Sequence, residues 1–114
     1  MKYYDENSMK ELRESLEAVV LGWPGVATKK MFGCPCYLVD KSMFALLMTG
    51  GVVLTRLDEK GKKELVAAFP TEPFQAGQRT VGNWLKVRMD DQSDVKRILK
   101  FVRKSYAAAA GPKT

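Results

Sequence analysis

Between residues 8 and 22 apolar side chains return every three or four positions. Met9, Leu12, Leu16, Val19 and Val20 form one stripe, which predicts an amphipathic helix. Lys10, Glu11, Arg13, Glu14 and Glu17 fill the other face, where Lys10–Glu14 and Arg13–Glu17 stand four apart and can pair across a turn. Ser8 with Glu11 fits a capping box, and Gly22 with Pro24-Gly25 stops the helix, leaving Trp23 to fold back onto the core.

The period then shortens to that of strands. Val26–Met31, Tyr37–Val39, Met43–Met48 and Val52–Leu57 are apolar, β-prone runs; Asp40-Lys41-Ser42 and Thr49-Gly50-Gly51 separate the last three as turns. Asp58 offers a cap for a second helix over 59–69 that sends Leu65, Val66 and Phe69 inward, with Gly61 weakening its first turn. Pro70, Pro73 and Gly77 predict a loop over 70–80, anchored by Phe74. Residues 83–89 alternate again: Leu85, Val87 and Met89 make the better core face, and Trp84 shares the other face with Lys86 and Arg88. Ser93 or Asp94 caps a last helix whose stripe is Val95, Ile98, Leu99, Val102 and Tyr106. This order predicts an α+β two-layer sandwich. Its antiparallel sheet has about four to five strands, with helices at both termini and one between strands.

Size changes the picture little. The 114 residues are 46% hydrophobic and 28% charged, which suits a single domain over 1–114 with its core at 8–106 and a tail at 107–114. No apolar run approaches the roughly 20 residues that span a bilayer, and the polar start lacks a signal-peptide core, so a cytoplasmic location is expected. The absence of histidine is more selective. It removes Ser-His-Asp and Cys-His catalysis and the commonest metal ligand.

The run Met31-Phe32-Gly33, then Tyr37 with Val39-Asp40, Met43-Phe44, Gly50-Gly51, Pro73-Phe74 and Trp84 with Val87 resembles the N-terminal domain of the TfoX family of competence regulators. The resemblance spans about residues 23 to 106 and implies the same two-layer α+β architecture and a regulatory context. It implies no catalytic residues and no cofactor. Two departures stand out. Cys34-Pro35-Cys36 replaces a glycine-rich run, and Lys41-Ser42 stands where an Asp-Gly turn is usual. The second, C-terminal domain of longer relatives has no counterpart in this sequence.

Candidate chemistry is sparse, and a non-enzymatic role is expected. Residues two apart on a strand share a face, so Cys34 and Cys36 could offer two thiolates to zinc or copper(I). Small apolar thiols beside a turn are the commoner use of such residues. The net charge of +6 favours anionic partners, and Lys96, Lys100, Arg103 and Lys104 on the last helix could contact nucleic-acid phosphates. A solvated outer face is the ordinary fate of such lysines. Lys29, Lys30, Arg79 and Thr80 could surround an anion, although no spacing demands it. The expected role is binding to a protein partner or to a second copy as a homodimer, through an exposed strand edge or the Trp84 face.

Overall fold

The computed structural model of the protein describes residues 4–31, 33–76, 79–89 and 94–111. Three helices, α1 (Glu6–Val20), α2 (Glu59–Ala68) and α3 (Asp94–Ala110), accompany six strands: β1 (Val26–Met31), β2 (Cys34–Val39), β3 (Ser42–Met48), β4 (Gly51–Leu54), β5 (Thr71–Ala76) and β6 (Arg79–Arg88). The strands form one sheet in the order β1-β2-β3-β4-β6-β5, each antiparallel to its neighbours. The α+β class and helical ends agree with expectation. The strand count exceeds it by one.

That extra strand is β5, in the segment expected to be a loop. Prolines and glycine argue against a central strand but not against an edge strand, where an absent N–H breaks no ladder bond. β5 is an edge strand, and its register with β6 shifts between Pro73 and Phe74. Other boundaries moved less. β4 ends at Leu54, and the first helix begins at Glu6 with Asp5 as its N-cap residue. The Ser8 hydroxyl donates back to the Asp5 carbonyl at 3.2 Å and does not cap, while the Asp5 N–H donates to Thr49 Oγ1 at 2.8 Å. Asp58 does cap α2, accepting from the Gly61 N–H at 2.7 Å. The expected Ser93 cap of α3 lies outside the described residues.

Alternation along the strands divides the interior in two. Tyr37, Val39, Leu47, Val52, Leu54 and Val87 face the helices and pack with Met9, Leu12, Leu16, Val20, Leu65, Ile98, Phe101 and Val102. On the opposite face Cys34, Cys36, Leu46, Val53 and Phe74 form a second buried cluster, to which no helical residue among those described contributes. Leu85, Val87 and Met89 belong to the helix side, and Trp84 packs against Phe74 on the other, with ring centroids 5.3 Å apart. Val66 is an exception to the expected stripes: it is 55% exposed. Phe101, which the stripe reading passed over, is buried and meets Phe69 edge-on at 6.1 Å.

A bulge sets the centre of the larger core. Tyr37 pairs with Ala45 but Leu38 pairs with Met43, so Phe44 is an extra residue in β3. Phe44 and Ala45 both turn toward the helices as a result. Phe44 then meets Trp23 at 6.3 Å and Tyr106 at 5.4 Å, and the Tyr106 hydroxyl donates to the Pro24 carbonyl at 2.6 Å. Trp23 thus returns to the core, as expected. The bulged Phe44 carbonyl accepts from the Ser105 hydroxyl at 2.6 Å and from the Thr55 N–H at 3.3 Å. Ser105 also accepts from the Arg56 N–H at 3.1 Å, which ties α3 to the chain leaving β4. Here one buried hydroxyl serves two backbone groups, one at the bulge and one just past the strand end.

A candidate interaction cleft beside the sheet edge

The chain segment before α1 is tethered at the β3–β4 turn by the Asp5–Thr49 bond, and Gly50 N–H donates to Met9 Sδ at 3.4 Å. Residues of α1 and of β1, the other edge of the sheet, face each other across a gap. An open cleft of about 700 Å³ lies there. Tyr4, Glu6, Arg13 and Glu17 stand on one wall; Thr28, Lys29, Lys30, Gly33 and Pro35 stand on the other. Four consecutive β1 residues, Ala27 to Lys30, are exposed.

A connected ionic network fixes the helical wall. The Arg13 guanidinium donates to Glu6 through Nη2 at 2.7 Å and Nε at 3.0 Å, and to Glu17 through Nη1 at 2.9 Å. The other Glu17 oxygen accepts from the buried Tyr37 hydroxyl at 2.7 Å, and Tyr4 donates its hydroxyl to Glu6. The expected Arg13–Glu17 pair is present, whereas Lys10 and Glu14 form no ion pair among the described residues. The Arg13 bond and then the Tyr4 hydroxyl hold Glu6 down at about 2. Burial, reinforced by the neighbouring carboxylates, pushes the Tyr37 and Tyr4 hydroxyls above their usual range. These three groups keep their charge state across neutral pH, so they form a fixed electrostatic frame. By contrast Lys29 and Lys30 make no ion pair among the described residues, and they supply the free positive charge of the strand wall.

Sequence reasoning missed this cleft, since its parts come from the chain start, one helix and the β1–β2 turn. The signal was present in Glu6, Arg13 and Glu17, spaced seven and four apart on one helical face. The basic stripe of α3 is where it was expected, with Lys96, Lys100, Arg103 and Lys104 all exposed. Three of the four are already engaged within the fold. Lys104 pairs with Glu64 at 2.9 Å, the Lys100 ammonium sits 5.0 Å from the Phe101 ring, and Arg103 stacks on Trp23 and Tyr106 at 4.9 and 4.8 Å. Lys86 does not extend the stripe. It lies on the face opposite α3, half-buried, with Glu72 at 3.6 Å. Lys29 and Lys30 belong to one edge strand, and Arg79 and Thr80 to β6, with β2, β3 and β4 between them in the sheet, so the four do not share one strand pair.

Neither Cys34 nor Cys36 is in a disulfide, and both are buried. The Cys36 sulfur lies 3.4 Å from the Cys34 carbonyl oxygen. Burial pushes Cys34 up to about 11 and also raises Cys36, where the Met31 N–H and the Lys29 charge pull the other way. Among the described residues no group of three or more Cys, Asp or Glu side chains is placed to share a metal ion. No helix among the described residues is long and apolar enough to cross a membrane.

No curated protein matched the chain. A family model described as the TfoX N-terminal domain matches residues 19–109, which takes in every strand, α2 and nearly all of α3. The chain belongs to the TfoX N-terminal domain family.

Proposed function

We propose that this domain is a non-enzymatic, cytoplasmic interaction module that takes up an extended acidic segment of a partner protein along β1, in the cleft against α1. The observation that carries the reading is the edge position of β1, exposed over four residues and flanked by a cleft of about 700 Å³. An edge strand offers unpaired backbone groups that an extended peptide can complete, and the neighbouring side chains then select among peptides. Lys29 and Lys30 give that selection its sign, and the ionic network holds the opposite wall without collapsing onto the strand. A non-enzymatic role is supported by the charge states of Glu6, Tyr4 and Tyr37, none of which exchanges a proton near neutral pH.

The test is selection from a random peptide library on the immobilised domain, followed by amide chemical-shift mapping with a selected peptide. The reading expects acidic peptides, shifts concentrated in 26–31 and the facing side of α1, and loss of binding in Lys29→Glu/Lys30→Glu. Peptides without acidic bias, or shifts confined to α3, would refute it; the latter pattern with an oligonucleotide would move the function to the basic helix.

A further inference from the structure

We propose that Cys34, Cys36 and Met31 form a binding site for one cuprous ion on the helix-free face of the sheet. Cys34 and Cys36 lie two apart on β2 and share the second cluster. Met31 is the cross-strand partner of Cys34 and packs against that cluster, which brings a thioether to the two thiols. Lys29 is the cross-strand partner of Cys36, so no acidic side chain stands opposite either thiol on β1. The group is therefore built of sulfur alone, without the imidazole or carboxylate that harder ions require.

Softness and coordination number select the ion. Thiolate and thioether sulfur favour copper(I), and two thiolates with one thioether fall short of the four-ligand set of structural zinc. Met31, Met43 and Met48 are partly exposed around the buried thiols, so thioethers are what an arriving ion meets first. Binding breaks two S–H bonds, releases both protons to solvent and forms two thiolate–copper bonds plus a dative thioether bond. The metal stays in the +1 state throughout.

The experiment is an anaerobic titration of the reduced protein with copper(I) against a chromogenic cuprous chelator, with X-ray absorption on the loaded sample. One copper per chain, loss of both titratable thiols and a three-sulfur shell are expected. Two released protons make the apparent affinity rise about a hundredfold per pH unit below the thiol pKa values. Met31→Leu keeps the volume, and should leave a two-sulfur shell with affinity down about tenfold. Cys34→Ser and Cys36→Ser should each abolish competition with the chelator. Should a serine variant fail to fold, the wild-type sulfur shell and the Met31→Leu comparison decide. The proposal is overturned if the wild type cannot compete with the chelator, if both thiols stay titratable after copper is added, if Met31→Leu leaves the shell unchanged, or if zinc displaces copper at equal concentration.

Discussion

Replacing Ser105 by alanine tests whether the β3 bulge is held by one side chain. The hydroxyl is fully buried and makes two bonds, to the Phe44 carbonyl at 2.6 Å and from the Arg56 N–H at 3.1 Å. Losing the first costs about 1 kcal/mol, since the Thr55 N–H still serves that carbonyl. Losing the second leaves a partly buried N–H unsatisfied, at about 1–2 kcal/mol. Alanine returns about 0.5 kcal/mol through its higher helix propensity. The net expectation is a loss of about 2 kcal/mol. For a domain of this size that lowers the melting temperature by roughly 8 °C. Urea unfolding followed by tryptophan fluorescence reads it directly, and the midpoint should fall by about 1 M at unchanged slope. Ala107→Ser, an exposed position two residues on, serves as a control and should stay within about 0.5 kcal/mol. A Ser105→Ala loss no larger than that control would show that the bulge does not depend on the hydroxyl.

Three further outcomes follow from the geometry. A Cβ built on Gly51 would stand 2.0 Å from the Val87 carbonyl oxygen on the neighbouring strand, so Gly51→Ala should cost upward of about 3 kcal/mol; a normal melting curve would contradict the close approach. Asp40 and Lys41 both have positive φ, at 50° and 70°, in the two-residue turn between β2 and β3, so Lys41→Gly should add about 1 kcal/mol of stability, and a loss in the urea midpoint would refute this. Stability should decline above pH 9: the raised Cys34 pKa of about 11 contributes fully below the unfolded thiol value and is lost as pH climbs toward 11, and Tyr37 adds a decline that starts near its unfolded value of about 10. Urea midpoints at pH 8 to 11 measure it, and a flat profile would refute both shifts.

The helices and five of the strands were readable, because an apolar stripe at period 3.6 or a short β-prone apolar run betrays the buried side chains. β5 was not, since Pro73 within it and Pro70 just before it signal a loop unless the strand is known to lie at an edge, and edge position is a property of the assembled sheet. The same limit hid the bulge at Phe44. Met43 to Met48 is apolar throughout, so no alternation is there to break, and only the pairing with Tyr37 and Leu38 exposes the extra residue. Asp40-Lys41 as the turn centre was obscured for another reason: lysine gives no sign that its φ will be positive. Ser105 reads as one polar residue near a helix end, and nothing local says that it serves backbone groups 49 and 61 residues away. The cleft gathers side chains from three separate segments, which no window along the chain can join. The thiol pair was legible as a pair, but its thioether neighbour came from the strand register alone.

Pro73 has an implication for assembly. Fibre growth through sheet borders requires each copy to offer two receptive sides, one to accept and one to donate. At β5 the proline withholds an amide proton and the adjoining register shift spoils the flat ribbon that a newcomer would need. A strand docking at β1 therefore meets a chain with no matching far side. Growth by this route terminates after one addition, and the domain can keep a sticky border without seeding filaments.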